Sequence, residues 1–335
     1  MIKILLFDTK PYDRKSFESL RDQYADKLEF DFVEFKLTEK TALLAEGYDC
    51  VCAFVHDQVN EEAIKVLARL GIKLIAMRCA GYNNVALNVA KDCNMQIVRV
   101  PEYSPYAVAE HAVTLMLSVN RNIHRASSRV RENNFSLNGL LGFDMYGKTV
   151  GIIGTGKIGR IAAQILKGFQ CKVLAYDVFE NKKASEEIGF EYVSLKEIYQ
   201  QSDIINLHVP LTLETYHMIN KESLRLMKDG VVIVNTSRGQ LIDTKDLIEG
   251  LKSGKIRGAG LDVYEEEDEY FFEDWSNQIV QDDDLARLLT FNNVIVTSHQ
   301  AFFTEEALTN IAETTIQNIK TFFETGEAIN EVVFN

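Results

Sequence analysis

A glycine-rich segment with the spacing G-x-G-x-x-G carries the clearest chemical signal in this sequence of 335 residues. Gly154, Gly156 and Gly159 follow the apolar run TVGII and open a helical pattern. In that context the first glycine allows a tight turn, the second lets the backbone approach a pyrophosphate, and the third lets helix and strand pack closely. The segment therefore predicts a dinucleotide-binding turn, against the alternative of a glycine-rich turn without a ligand.

An acid at the end of the next apolar strand supports this prediction. Asp177 lies 18 residues after Gly159, where a dinucleotide-binding fold places a ribose-binding carboxylate. A carboxylate there accepts a hydrogen bond from the ribose 2′-hydroxyl and repels a 2′-phosphate. The sequence therefore predicts NAD rather than NADP.

Three further apolar runs end in side chains that could act on a substrate. Arg238 follows VVIVN, and its planar guanidinium suits a carboxylate, although a structural ion pair is the competing interpretation. His208 and His299 each end a strand, and either imidazole could exchange a proton near neutral pH. The residues alone favour His299 without deciding between them.

Two other groups of polar residues have less specific patterns. The acidic run EEEDE begins at Glu265, and composition does not say which of its acids matters. The remaining histidines show no ligand spacing, so we expect no metal site and a structural or surface position for His56, His111, His124 and His217.

Alternating strands and helices must position these residues. In the first hundred residues the apolar runs KILLFD, DFVEF, DCVCAF, KLIAMRC and QIVRVP predict strands separated by helices. A second such series begins at Lys148, and long helices are expected over 107–128, 157–169 and 305–324. The pattern is that of parallel α/β sheets, and the length suggests two domains with a substrate cleft between them.

Composition restricts the possible partners and location. The formal net charge of −13 is the opposite of what a duplex-binding protein needs, so nucleic acid is not expected. No apolar stretch approaches the length of a membrane span, and the N-terminal MIKILLFD is a strand rather than a signal peptide. Five cysteines without metal spacing indicate reduced thiols, which places the protein in the cytoplasm by default.

The chain resembles the D-specific 2-hydroxyacid dehydrogenase family over essentially its whole length. The matching motifs are GTGKIG, LHVPLT, VNTSRG, GLDVYEEE, TSHQAFFTEEA, RCAGYNN and VPEYSPYAVAEHA. Two more, NFSLNGLLGFDMYGKT and FFEDWSN, are similar to the fermentative D-lactate branch. The resemblance implies two doubly wound parallel-sheet domains, one Rossmann-like and one flavodoxin-like. Residues 1–101 with 300–335 would form the catalytic domain and 102–299 the NAD-binding domain.

The same resemblance implies roles for individual residues. Arg238 would bind the substrate, His299 would be the acid/base, and Glu267 would be its supporting acid, although Asp268 stands where many members have proline. The NAD contacts would be Gly154, Gly156, Lys157, Ile158, Gly159, Asp177, Val209, Pro210, Thr215, Thr236, Ser237, Arg238 and Asp262. The other substrate contacts would be the Cys79–Ala80–Gly81 loop and the pocket walls Tyr103 and Phe302, alongside Arg238 and His299.

The activity implied is NADH-dependent reduction of pyruvate to D-lactate, with His299 as proton donor. Alternatives are another D-2-hydroxyacid of the hydroxyisocaproate or glycerate type, and a regulator that senses NAD without catalysis. The expected partners are a small substrate and further copies of the chain, as a dimer or tetramer, with no membrane contact.

Overall fold

The computed structural model describes residues 1–332 and separates into two compact units. Unit 1 comprises residues 1–104 together with the chain from 302 onward, and unit 2 comprises residues 105–301. The domain boundaries expected from the sequence, after residues 101 and 299, lie within three residues of these.

Twelve strands are formed within residues 1–332. They are β1 (Ile2–Leu6), β2 (Leu28–Phe32), β3 (Cys50–Ala53), β4 (Leu74–Met77), β5 (Gln96–Arg99), β6 (Thr149–Ile153), β7 (Lys172–Tyr176), β8 (Glu191–Tyr192), β9 (Ile204–Leu207), β10 (Val231–Asn235), β11 (Ile256–Leu261) and β12 (Val294–Val296).

The same residues form twelve α-helices. They are α1 (Pro11–Ser19), α2 (Glu61–Arg69), α3 (Leu87–Asp92), α4 (Pro105–Arg121), α5 (Ile123–Arg131), α6 (Lys157–Gly168), α7 (Lys182–Ile188), α8 (Leu195–Gln201), α9 (Lys221–Leu226), α10 (Thr244–Ser253), α11 (Asp283–Thr290) and α12 (Glu305–Thr325).

Unit 1 is built on a parallel five-stranded sheet in the order β2-β1-β3-β4-β5. Strands β3 and β4 are buried along their whole length, which fits their near-continuous apolar sequences CVCA and LIAM. Helix α12 returns to this unit from the far end of the chain, and its Ala312, Ile316 and Ile319 join the core formed around the sheet.

Unit 2 is built on a parallel seven-stranded sheet in the order β12-β11-β10-β9-β6-β7-β8. The strand order reverses between β6 and β9, and ligands bind beyond the carboxyl ends of strands at such a point. Both sheets are parallel and flanked by helices, which confirms the predicted class of two α/β domains. Within residues 1–332 no helix is both long and apolar enough to cross a membrane.

The single helix predicted over 107–128 is wrong, because the structure contains two. Helix α4 begins at Pro105 and ends at Arg121, and Asn122 adopts a left-handed φ of +51° before α5 begins. Asparagine tolerates this conformation better than most residues. The neighbouring Asn120 contributes to the bend, since its side chain bonds both backbone groups of Phe143.

The strand predicted over DFVEF is displaced toward the N-terminus. Strand β2 spans Leu28–Phe32, and Val33 leaves it to donate its N–H to the carbonyl of Leu6 and accept the N–H of Thr9. The alternation of Leu28, Phe30 and Phe32 breaks at this point, because the apolar Val33 directly follows Phe32. This break, which the predicted strand overlooked, coincides with the end of β2.

Candidate active site

The glycine-rich turn joins β6 to α6 at the reversal point of the unit 2 sheet. Gly154 has a φ of +97°, and a Cβ there would lie 2.3 Å from the carbonyl oxygen of His208. A Cβ on Gly159 would lie 2.0 Å from the carbonyl oxygen of Gly154. By contrast, a Cβ on Gly156 would meet no protein atom within 4 Å. The turn is therefore tight against the protein and open at Gly156, where a pyrophosphate would approach.

Asp177 follows β7 and faces this turn. Its carboxylate accepts hydrogen bonds from the backbone N–H of Thr155 at 2.6 Å, the Thr155 hydroxyl at 3.0 Å and the N–H of Phe179 at 2.9 Å. Burial raises the pKa of Asp177, but the donors of Phe179 and Thr155 outweigh it and leave the pKa below its usual range. An ionised carboxylate therefore stands beside the turn, as NAD rather than NADP requires.

The remaining predicted NAD contacts of unit 2 lie on α6 and on the loops after β9 and β10. Lys157 and Ile158 begin α6. The Thr215 hydroxyl donates to the Pro210 carbonyl at 2.7 Å, which closes the loop that begins at Val209.

The loop after β10 is tied to the strand beside it. Ser237 donates its hydroxyl to the Leu207 carbonyl at 2.8 Å. The Thr236 hydroxyl is buried without a hydrogen-bond partner among residues 1–332, as expected of a group that binds a ligand.

His299 and Glu267 form a direct pair within unit 2. The Nδ1 atom of His299 lies 2.7 Å from Oε1 of Glu267. The other carboxylate oxygen of Glu267 accepts the N–H of Tyr264 at 2.9 Å, and the side chain is buried. The carboxylate is thus fixed at one end by backbone and holds the imidazole at the other.

The two neighbouring acids are placed differently from Glu267. Glu265 lies 2.5 Å from Nε2 of His217 and accepts the Thr244 hydroxyl at 2.8 Å. Glu266 is exposed. The geometry thus distinguishes the three acids, which composition does not.

His208 lies in an environment unsuited to proton exchange. The Asn206 amide nitrogen lies 2.9 Å from its Nε2, and an amide nitrogen can only donate, so Nε2 accepts and the ring is neutral. Burial lowers the pKa of His208 to about 4. Of the two histidines that strand ends alone left as candidates, only His299 has a carboxylate bonded to its ring.

The turn that carries His299 is held by Asp262. His299 has a left-handed φ of +53° and donates its N–H to the Asp262 carbonyl at 2.7 Å. The Asp262 side chain accepts the N–H groups of Gln300 at 2.9 Å and Ala301 at 2.8 Å, and the Thr297 hydroxyl at 2.5 Å. The sequence analysis expected Asp262 only as an NAD contact and missed this part in shaping the turn.

Arg238 stands on the loop between β10 and α10. Its guanidinium donates to the neighbouring Ser237 carbonyl at 2.7 Å and forms no ion pair within residues 1–332. The structural ion pair considered from the sequence is therefore not formed. The next residue, Gly239, lies so close to the chain at Tyr264 that a Cβ would be 2.0 Å from its carbonyl atoms. Glycine thus lets the Arg238 loop pack against the segment that leads to Glu267.

In unit 1, the loop of residues 79–81 exposes backbone donors. The Cys79 carbonyl accepts the N–H of Val100, the Ala80 carbonyl accepts Arg99 at 2.8 Å, and the Gly81 carbonyl accepts the Cys79 thiol at 3.2 Å. Within residues 1–332 no acceptor is found for the N–H groups of Ala80 and Gly81. This arrangement suits an anionic group such as a carboxylate.

An aromatic cluster in unit 1 contains both predicted pocket walls. The Phe302 ring lies 6.1 Å from that of Tyr103 and 6.3 Å from that of Phe54. Phe54 is fixed by its N–H, which donates to Asp57 at 2.5 Å, and by the Arg78 guanidinium, 4.8 Å from its ring centre. The sequence analysis missed Phe54. Phe54 follows the carboxyl end of β3 directly, and this position could have identified it as a candidate site residue.

Comparison with known proteins identifies the family. Residues 113–301 match the model of the D-isomer specific 2-hydroxyacid dehydrogenase NAD-binding domain. The chain belongs to the D-isomer specific 2-hydroxyacid dehydrogenases. This confirms the family expected from the sequence motifs and NAD as the cofactor.

Individual members of the family match nearly the whole chain. A 2-hydroxyacid dehydrogenase homolog of Haemophilus influenzae is 54% identical, with 95% of each chain covered. The D-lactate dehydrogenase of Escherichia coli is 50% identical and covers 99% of this chain and 100% of its own. The solved structure of the pyruvate reductase of Chlamydomonas reinhardtii is 44% identical, covers 98% of each chain and has a TM-score of 0.93.

In this dehydrogenase the matched NAD-binding domain contains the residues described above in unit 2. The glycine turn, Asp177, Arg238, Glu267 and His299 all lie within residues 113–301. The cradle at Gly156, the ionised Asp177 and the unpartnered Thr236 hydroxyl fit a dinucleotide.

Proposed function

We propose that the protein is a D-lactate dehydrogenase that reduces pyruvate to D-lactate with NADH. The observation that carries the proposal is the His299–Glu267 pair, found in the same unit as the NAD-type glycine turn. The 50% identity with a D-lactate dehydrogenase across almost the full length supports pyruvate as the substrate.

His299 is the proposed acid/base. Its Nδ1 bonds Glu267, so Nε2 is the atom that exchanges a proton with the substrate oxygen. The protonated imidazole is the form that donates the proton when a keto acid is reduced, and the Glu267 carboxylate lies beside its ring as a counter-charge. NADH, when bound, supplies the hydride for the carbonyl carbon.

Two groups are proposed to bind the substrate carboxylate. The Arg238 guanidinium, without an ion-pair partner within residues 1–332, offers a planar pair of donors. The N–H groups of Ala80 and Gly81 offer two more from the 79–81 loop, with Cys79 shaping that loop through its thiol.

The cluster of Tyr103, Phe302 and Phe54 is proposed to limit the size of the substrate. Bulky rings leave room for a methyl group and disfavour long or aromatic side chains of other 2-keto acids. The chemistry is the same for all these acids, so the aromatic cluster is what distinguishes a lactate enzyme from a hydroxyisocaproate one.

The proposed NAD contacts are those predicted from the sequence. Asp177 accepts the ribose hydroxyls, the turn at Gly156 with Lys157 and Ile158 holds the pyrophosphate, and the Val209–Pro210 loop lies on the adenosine side. Thr236 offers a hydroxyl toward the nicotinamide, beside Ser237.

The protein is also proposed to form a homo-oligomer in the cytoplasm. Large apolar side chains are exposed in α5 and in the segment after it, namely Ile123, Val130, Phe135, Leu137 and Leu141. Such concentrations on one segment mark protein interfaces. All five cysteines are thiols, which suits a reducing compartment.

The deciding experiment measures NADH oxidation with a panel of 2-keto acids and identifies the product enantiomer. We expect pyruvate to give the highest kcat/KM and D-lactate to be the product. A preference for a branched or hydroxylated keto acid would reassign the substrate. NADH binding without oxidation of NADH by any keto acid would indicate the regulator.

A further inference from the structure

Helix α4 packs on strand β11 in a register that brings a histidine to the acid/base turn. Two glycines of the strand let the helix approach, because a Cβ on Gly258 would lie 2.6 Å from Val119 and one on Gly260 would lie 2.9 Å from the Cβ of Leu115. Gly258 thus faces Val119 and Gly260 faces Leu115, so moving two residues forward on the strand corresponds to moving four residues back on the helix. By the same register, Asp262 on the strand side faces the residue four positions before Leu115.

That residue is His111, and it contacts the network around Asp262 directly. Its Nε2 atom lies 3.3 Å from Oδ1 of Asp262 and 3.1 Å from the Thr297 hydroxyl oxygen. Thr297 already donates its proton to Asp262, so only its lone pairs face the imidazole. Nε2 must therefore carry a proton and act as the donor in this network.

The hydrogen bonds around Asp262 stabilise the turn that carries His299, whose backbone conformation is strained. The left-handed φ of His299 is unfavourable for a residue with a side chain and persists only where the surroundings enforce it. Asp262 enforces it through three donors from residues 297–301, and the carboxylate has no exposed surface. A buried carboxylate stays ionised only when donors surround it. Burial raises the pKa of Asp262, yet the bonds from His111 and Thr297 leave that pKa below its usual range.

We infer that His111 is a positioning residue for His299, acting through Asp262 and Thr297. This inference rests on the proposed acid/base role of His299. His111 donates from helix α4 to the carboxylate that holds the His299 turn, and so fixes where the imidazole of His299 stands. The sequence analysis expected only a structural or surface position for His111.

Two substitutions of His111 that differ in the reach of their amide nitrogen test the positioning role. Glutamine places an amide nitrogen near the position of a histidine Nε2, whereas asparagine reaches only as far as Nδ1. We expect His111→Gln to keep kcat within about threefold of wild type and His111→Asn to lower it by about 10²-fold, the loss typical of a misplaced catalytic group. The dissociation constant for NADH, measured by fluorescence titration, should change by less than about threefold in either variant.

His124 supplies the control on the following helix. Its Nε2 lies 3.2 Å from the Asn292 carbonyl, away from Asp262, so His124→Asn removes a comparable bond and should leave kcat unchanged. Equal loss of kcat in His111→Gln and His111→Asn would overturn the inference and indicate packing. Full activity of a folded His111→Asn would overturn it as well.

A second measurement separates this inference from the proposed function. Carbethoxylation of His299 by diethyl pyrocarbonate, located by mass spectrometry, reports how the imidazole is held whatever the substrate is. We expect faster modification of His299 in His111→Asn than in His111→Gln or wild type. Equal rates in all three would overturn the inference. If the wild type reduces no keto acid, the proposed activity fails while this comparison still tests the positioning.

Discussion

At the scale of single residues, Glu267 contributes to function through charge and orientation together. Its carboxylate touches Nδ1 of His299 and is itself fixed by the backbone of Tyr264. Removing the charge while keeping the shape should therefore lower activity without displacing the side chain of His299.

We expect His299→Gln to lower kcat for pyruvate reduction by about 10²–10⁴-fold, because it removes the proposed proton donor. Glu267→Gln should also lower kcat, because the neutral amide cannot supply the counter-charge that the carboxylate places beside Nδ1 of His299. Steady-state kinetics of both variants measure the losses, and His208→Gln is the control expected to keep kcat. An unchanged kcat in Glu267→Gln would contradict the assigned pair.

Phe302 tests the size limit of the pocket. Its ring packs between those of Tyr103 and Phe54, so Phe302→Ala should open space for a larger side chain and hold pyruvate less well. We expect the ratio of kcat/KM for phenylpyruvate over pyruvate to rise by about tenfold, since apolar pockets discriminate by about 1–3 kcal/mol per methylene. A ratio that does not rise would make Phe302 a packing residue.

The sequence identified most of these residues but not all the contacts between them. Strand ends and motifs singled out Arg238, His299 and Asp177. The family resemblance pointed to His299, but the residues alone left the choice between His208 and His299 open, because it depends on which polar group lies beside each ring in space. Phe54 and His111 were missed because aromatic and histidine residues on apolar segments are usually core residues, and only packing shows what they touch.

At the scale of elements, glycines on β11 set the distance between that strand and α4. A Cβ on Gly258 would lie 2.7 Å from the Asn293 carbonyl oxygen and 2.6 Å from Val119. Backbone on one side and a β-branched side chain on the other leave little room to adjust.

Gly258→Ala should accordingly lower the free energy of unfolding by about 1–3 kcal/mol. Gly168→Ala at the end of α6 is the matched control, because a Cβ there meets nothing within 4 Å. In that helical position alanine should be neutral or stabilise by up to about 1 kcal/mol. Urea denaturation of both variants measures the difference. Equal stabilities would mean that α4 shifts on the sheet without cost.

Hydrophobic periodicity did not predict where every helix and strand ends. Periodicity located β6 and α6, which flank the glycine-rich turn, and also α12. It did not locate the break at Asn122, because the residues on both sides remain compatible with helix. The break depends on Asn120 bonding Phe143, a contact between residues 23 positions apart. Strand β8 has two residues and too little sequence for any pattern.

At the scale of the whole molecule, the exposed apolar side chains of residues 123–141 are expected to be covered by another copy of the chain. Leu137→Asp should lower the molar mass measured by light scattering after size exclusion, because a buried unpaired carboxylate is costly. Leu213→Asp, which replaces an equally exposed leucine on the loop after β9, should leave the mass unchanged. A monomeric wild type would refute the proposed assembly.

The return of α12 to unit 1 has a consequence during protein synthesis. Residues 1–104 leave the ribosome first, but the helix that supplies Ala312, Ile316 and Ile319 to their core is made about two hundred residues later. Unit 2, by contrast, is continuous in the chain and has all its strands once residue 301 has emerged. Domains usually fold in the order in which they are translated. Here the second sheet to be made should be the first to reach its native state, and the first sheet should complete its core only after α12 has been made.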